Sequence, residues 1–144
     1  MSRDNVVEIL WGRNAGVQVD NQLALADAIA DGLPQTALER IKEALQLTDL
    51  ELAATLGMSP KTSGRLRKNP EAPIGPIASD RLYRIASLLA QAVDVFEDPD
   101  IAREWFLAPQ IGLDMRTPYD LAYTGAGARE VEDLLGRIEY GVIA

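Results

Sequence analysis

Three times this chain sets a hydroxyl or carboxylate residue directly before a proline: Ser59-Pro60, Asp98-Pro99 and Thr117-Pro118. Each pair marks a helix start. The side-chain oxygen accepts from the unpaired N–H groups of the first turn, and a proline at the first helical position has no N–H to leave unsatisfied. Thr48 with Glu51 three residues later adds a capping box and a fourth start. Between these marks the apolar residues recur at helical spacing, which predicts helices near 21–31, 35–46, 48–56, 59–68, 79–97, 99–106, 117–123 and 126–139. The nearest approach to a strand is GVQVD at 16–20, a run of five residues that is too short to found a sheet. The expected fold class is therefore all-α.

Two of the predicted helices organise the rest. The one over 79–97 is the longest, with Leu82, Ile85, Leu89, Ala92, Val93 and Phe96 on one stripe and Tyr83, Leu88 and Val95 widening it, so it reads as a spine packed on two sides. Before it, NPEAPIGPIAS at 69–79 holds three prolines and a glycine and reads as a crossing loop. In the last helix Val131, Leu134, Leu135 and Ile138 share a face opposite Arg129, Glu132, Asp133 and Arg137, and Gly141 is the expected stop. Beyond it come Val142, Ile143 and Ala144, an apolar end that would ordinarily fray in water. A partner that buried Val142 and Ile143 would gain about 1.5–3 kcal/mol from each.

Composition narrows the chemistry. With 144 residues and 47% apolar content the chain can build one domain or two small ones. Charges interrupt the N-terminal MSRDNVVEILWGRN, and no apolar run reaches the length of a membrane span, so a cytoplasmic protein with no membrane partner is expected. The chain has no cysteine and no histidine, which removes disulfides, thiolate metal sites and the commonest general base. No catalytic residue, metal site or cofactor is expected. Net charge is −8, but it is unevenly spread. Residues 1–58 carry four basic and nine acidic side chains, residues 59–84 six and two, and residues 85–144 four and eleven. One basic island thus sits in an acidic chain.

The island follows a recognisable turn. Over 50–68, LELAATLGMSPKTSGRLRK, Leu52 and Leu56 point to a small core, Ala53 lets a second helix approach, Gly57 accepts the left-handed turn, Met58 packs and Ser59 caps. The second helix carries Lys61, Thr62, Ser63, Arg65, Arg67 and Lys68 with no acid among them. Lysine and arginine there would neutralise phosphates, and the two hydroxyls would touch base edges or phosphates. This stretch resembles the helix-turn-helix of the Xre-like regulators, which makes those six residues the candidate DNA contacts and the helix the recognition helix. A helix pair with a glycine turn is also common in all-α proteins, and a basic helix is often only a solvated face. Gly64 lowers helix propensity by about 1 kcal/mol relative to alanine and is either a point of close backbone approach or simply tolerated.

The C-terminal region carries a second resemblance. Trp105 and Pro109, then Thr117, Pro118, Asp120 and Leu121, then Thr124, Gly127, Val131 and Leu135, and finally the run Arg137, Ile138, Glu139, Tyr140, Gly141 resemble the toxin-binding domain of the Xre/MbcA/ParS-type antitoxins. Leu113, Asp114, Met115 and Arg116 stand where similar sequences often have a glycine-rich turn. The resemblance implies an antitoxin paired with a RES-domain toxin, an enzyme that consumes NAD. It also implies that Arg137, Glu139, Tyr140, Gly141, Val142, Ile143 and Ala144 reach over the toxin's active-site cleft. The resulting division is an N-terminal helical extension at 1–34, an Xre-like helix-turn-helix domain at 35–97 and a small helical toxin-binding domain at 98–144. The chain would be a non-enzymatic inhibitor that also binds its own promoter DNA as a homodimer and represses it. The alternatives are a stand-alone regulator whose C-terminal domain binds a ligand or oligomerises, and a degenerate enzyme subunit.

Other residues have plainer readings. Trp11 and Trp105 are expected as core or interface anchors, with Trp105 assigned to the core. Asp120 fits the N-terminal turn of a helix better than a catalytic pair with Asp114. Gly125 and Gly127 lack the preceding strand and following lysine of a phosphate loop and read as the turn into the last helix.

Overall fold

A computed structural model of the chain describes residues 3–13 and 21–141. The strand candidate at 16–20 and the apolar end Val142, Ile143 and Ala144 lie outside the described residues. Within them the chain runs through α1 (Arg3–Trp11), α2 (Gln22–Asp31), α3 (Gln35–Leu45), α4 (Asp49–Thr55), α5 (Pro60–Lys68), α6 (Pro76–Phe96), α7 (Pro99–Phe106), a 3-10 turn (Ile111–Leu113), α8 (Pro118–Ala122) and α9 (Gly125–Glu139). The all-α fold is the one the cap signals imply, and all four marked starts form. Ser59, Asp98 and Thr117 each accept from first-turn amides ahead of a proline. Thr48 and Glu51 close a reciprocal box, with Glu51 N–H donating to Thr48 Oγ1 at 3.1 Å and Thr48 N–H to Glu51 Oε1 at 2.9 Å.

Helix α6 is the spine. It packs against α1 and α2 on one part of its surface and against α7, α8 and α9 on others. Leu82, Ile85, Leu88, Leu89 and Ala92 are buried along it, while Val93, Val95, Phe96 and Tyr83 pack at its edges. It begins at Pro76, not Ser79: Gly75 is its N-cap and Pro76 the first helical residue, so the helix starts three residues earlier than its prolines suggest. Ser79 then falls inside the helix, buried, where its hydroxyl accepts from Leu33 N–H at 2.9 Å and donates to the Ile74 carbonyl at 3.3 Å. That hydroxyl ties the start of the spine to the segment joining α2 and α3.

Helix α1 has neither a proline at its start nor a capping box, and it is not among the expected helices. It forms because Val6 and Leu10, one turn apart, bury against the common core as α1 packs on α3 and α6. At its end the Glu8 carbonyl accepts from Gly12 N–H at 2.8 Å, and Arg40 of α3 adds bonds to the Glu8 and Ile9 carbonyls at 2.9 Å each, the latter being one of the helix's orphan acceptors. One ion triad joins α3 to the start of α4: Lys42 Nζ lies 2.7 Å from Glu39 and 2.8 Å from Asp49. Hydrogen bonding to Asp49 and then Glu39 pushes the Lys42 ammonium well above the usual lysine range, and the same contact lowers the Asp49 carboxyl.

The capping box has a pH signature. Hydrogen bonds from the backbone and hydroxyl of Thr48 hold the Glu51 carboxyl below its ordinary value of 4.5. A depressed acid contributes stability that is present above its unfolded pKa and is lost as pH falls through the folded one. Thermal melting from pH 7 to pH 3 is therefore expected to show a loss below about pH 4.5. The Glu51→Gln variant should lack that component, and identical acid profiles for the two proteins would refute it.

Candidate functional site

The helix-turn-helix is built as its sequence requires. Leu52 and Leu56 are buried, Gly57 adopts φ +72°, and Met58 donates its N–H to the Ala53 carbonyl at 2.9 Å and packs on the core. Ser59 then opens α5, and its hydroxyl both accepts from Thr62 N–H and donates to Thr62 Oγ1, each at 3.1 Å. Leu66 anchors the inner face of α5. Clefts of about 730 and 580 Å³ flank the helix, one toward α3 and α4 and the other toward the loop at 69–75 and the first turn of α6. The helix therefore stands as a ridge between two hollows.

Its polar residues divide by position. Lys61, Arg65, Arg67 and Lys68 are exposed, and none takes part in an ion pair among the described residues. Lys61, Gly64, Arg65 and Lys68 share the outward stripe. Thr62 and Ser63 are half-buried on the two flanks, Thr62 lining the cleft beside the 69–75 loop and Ser63 the one beside α4. A Cβ on Gly64 would meet nothing nearer than the tip of Arg67 at 3.9 Å, so packing within the chain does not call for glycine there.

The island's other two cations point elsewhere. Arg84 pairs with Asp80 at 3.1 Å. Arg81 donates to the Thr55 carbonyl at 3.4 Å and lies over the Tyr123 ring, 5.5 Å from its centroid. Beside it, Thr55 Oγ1 donates to the Glu51 carbonyl at 3.1 Å, which leaves Tyr119 as donor in the 2.6 Å contact between its hydroxyl and Thr55 Oγ1. Burial pushes the Tyr119 hydroxyl up from its ordinary pKa. A latch of four residues thus joins the end of α4, at the turn of the helix-turn-helix, to α8. Nothing in the linear pattern pointed to it, since Thr55 and Tyr119 lie 64 positions apart.

Helices α7 to α9 form the second module around Ala102, Phe106, Leu113, Ala122, Val131, Leu134 and Leu135, all buried. Phe106 meets Tyr119 edge to face at 6.5 Å, and Trp105 is half-buried with its ring tilted against Phe96 at 5.4 Å. Gly127 lies in the first turn of α9, capped by Thr124, where a Cβ would collide with the Leu121 carbonyl oxygen. Close crossing of α8 and α9 therefore accounts for that glycine.

The loop before α8 is tightly closed. Gln110 and Arg116 form an antiparallel bridge, with Gln110 N–H donating to the Arg116 carbonyl at 3.1 Å and Met115 N–H to the Gln110 carbonyl at 2.9 Å. Asp114 and Met115 both adopt left-handed φ, +57° and +64°. Such backbone costs a residue with a Cβ about 1–2 kcal/mol. Leu113 is buried beneath the turn and holds it in place.

At the far end, Arg137, Glu139 and Gly141 are exposed and Tyr140 is 81% exposed. Arg137 closes no ion pair with Glu130 or Asp133, and the i,i+4 spacings of Arg129, Asp133 and Arg137 likewise close none within 4 Å. Gly141 takes φ +75° and ends the helix, its N–H donating to the Ile138 carbonyl at 3.1 Å.

The fold and these sites define a helix-turn-helix protein with an appended acidic helical module. Residues 24–87 match the family described as the antitoxin Xre-like helix-turn-helix domain, and residues 91–141 match the antitoxin Xre/MbcA/ParS C-terminal toxin-binding domain. The chain is 32% identical over 136 residues to Antitoxin Xre of Yersinia enterocolitica, covering 94% of this chain and 90% of that protein. It is 29% identical, with the same coverage, to Antitoxin Xre of Photorhabdus laumondii. Antitoxin Xre of Pseudomonas putida is 30% identical over 78% of this chain and 69% of its own length. The chain belongs to the Xre antitoxin family, with both a helix-turn-helix domain and a toxin-binding domain. Among the described residues no helix is long and apolar enough to cross a membrane.

Proposed function

We propose that this chain is the antitoxin of a type II toxin–antitoxin pair and neutralises a RES-domain toxin that consumes NAD. The observation that carries the reading is the presence in one chain of the family's two matched domains, each with exposed residues free to bind. Inhibition requires no chemistry from the antitoxin. Arg137, Glu139 and Tyr140, exposed around the end of α9, would hydrogen-bond at the mouth of the toxin's cleft. Gly141 breaks the helix there, and Val142, Ile143 and Ala144 would fill apolar space and exclude NAD. Glu139, a carboxylate with no ion pair among the described residues, suits a basic site that otherwise holds the cofactor's phosphates. Arg137 suits an acid of the toxin.

The second role is autorepression. Helix α5 would enter the major groove of the antitoxin's own promoter with Lys61, Arg65, Arg67 and Lys68 on phosphates and Thr62 and Ser63 near its N-terminal end. A homodimer presenting two such helices about 34 Å apart would read half-sites one DNA turn apart. Both roles belong to the cytoplasm, where NAD and the operon are found. The helix-turn-helix at 35–97 would serve the operator and the module at 98–144 the toxin. The test is direct. Expression of the adjacent gene alone should arrest growth and deplete NAD, and co-expression of this chain should restore both. Growth arrest with NAD unchanged would refute the RES chemistry while leaving the antitoxin role intact.

A further inference from the structure

The loop at 110–116 displays two large apolar side chains to solvent. Ile111 is 83% exposed and Met115 62%, on a turn whose backbone is left-handed at two successive residues that are not glycine. The turn is held from every side. Besides the Gln110–Arg116 bridge, Asp114 N–H donates to the Ile111 carbonyl at 3.1 Å, Arg116 N–H to the Leu113 carbonyl at 3.2 Å, and the Arg116 guanidinium to the same carbonyl at 3.3 Å. The Gln110 side chain fastens its base to the Trp105 and Ala108 carbonyls at 2.9 and 3.2 Å. Neither exposed side chain packs on the core that all this bonding supports. A strained, rigid turn presenting unburied apolar groups is arranged for something outside the chain.

Charge selects the occupant. Residues 91–141 carry four basic and eleven acidic side chains, a net −7. That field repels nucleic acid, and it repels a second copy of the same module. It favours a protein whose apolar hollow is rimmed by basic side chains. The loop also lies within the matched toxin-binding domain, and its 3-10 turn packs on α9, the helix that leads into the C-terminal end.

We propose that Ile111 and Met115 form a second anchor on the toxin, separate from the C-terminal segment, which binds a basic-rimmed apolar surface outside the catalytic cleft. The proposal rests on the antitoxin reading above. It divides the work: the loop would supply affinity, and the terminal segment would block the site.

The chain has no cysteine, so Met115→Cys creates a unique thiol whose reaction with a maleimide can be followed by the mass of the antitoxin. The probe is the purified product of the adjacent gene. In its presence labelling should slow by about tenfold or more, and should do so equally in a chain that also ends at Tyr140. Ile111→Asp and Met115→Asp, which keep the helical circular dichroism of the parent, should each weaken the complex by about 30-fold. Unchanged labelling in the complex, unchanged affinity of the aspartate variants, or loss of the whole complex on removal of the terminal segment would each overturn the anchor. Protection that appears at high concentration of the antitoxin alone would assign the loop to self-association and overturn it too. If the unaltered chain does not bind the adjacent product, the antitoxin pairing itself fails, and the anchor with it.

Discussion

Replacing Lys61 and Arg65 together by glutamate is expected to abolish operator binding while leaving the fold and toxin neutralisation intact. Both side chains are exposed, lie on the outward stripe of α5 and take part in no ion pair among the described residues, so their reversal breaks none of those pairs. At the operator the effect is doubled, because two attractions to phosphate are lost and two repulsions take their place. Each neutralised phosphate contributes roughly −0.9 to the slope of log affinity against log salt. Four contacts per protomer, from Lys61, Arg65, Arg67 and Lys68, would give a slope of roughly −3.6, and the double reversal should leave at most half of it. The loss at physiological salt should exceed about 100-fold. Gel shift or anisotropy across a salt series is the measurement. An affinity for operator DNA that ignores salt, or survives the double reversal, would remove α5 as the DNA-reading element. Arg81→Ala is the informative comparison. That residue belongs to the same basic island by sequence, but it is spent on Thr55 and Tyr123, so its loss should act on the latch and leave the salt slope unchanged.

That comparison also separates what could be read from the residues alone from what could not. Cap signals act over three or four positions, which is why Ser59, Thr48, Asp98 and Thr117 locate their helices from the sequence alone. Helix α1 has no proline or capping box at its start, and its apolar residues Val6 and Leu10 acquire meaning only when α3 and α6 cover them. Three prolines in 11 residues look like a linker, although one of them, Pro76, occupies the helix position where proline is best tolerated. The same contrast holds for the sites. The DNA candidates form a single run on one helix, so local composition revealed them. The latch of Thr55, Arg81, Tyr119 and Tyr123 depends on how α4, α6 and α8 meet, which no local pattern encodes. The loop at 110–116 falls between these cases. The departure from a glycine-rich turn was visible at Asp114 and Met115, but the left-handed backbone imposed on them was not.

Ending the chain at Tyr140 is expected to release the toxin without unfolding the antitoxin. The last intrahelical residue is Glu139, and the Tyr140 N–H that closes α9 on the Gly136 carbonyl at 3.1 Å is retained. Among the described residues the core ends with Leu135 and the partly buried Ile138, so the truncation removes none of its members. The lost residues are Gly141, Val142, Ile143 and Ala144. If the toxin shelters Val142 and Ile143, their burial is worth about 1.5–3 kcal/mol apiece, and together about 3–6 kcal/mol. That corresponds to an affinity loss of roughly 100-fold to 10,000-fold if they are the principal contact. Growth of cells co-expressing the adjacent gene measures neutralisation, calorimetry on the purified pair measures affinity, and the melting temperature of the truncated chain should stay where it was. The two readouts need not move together, and their divergence is the sharper result. With a separate anchor at Ile111 and Met115 the truncated chain should still bind, more weakly, while failing to protect, because the blocking segment is gone and the anchor is not. Full protection by the truncated chain would show that the catalytic cleft is closed by something other than the C-terminal end. Loss of both binding and protection would instead make that end the sole point of attachment.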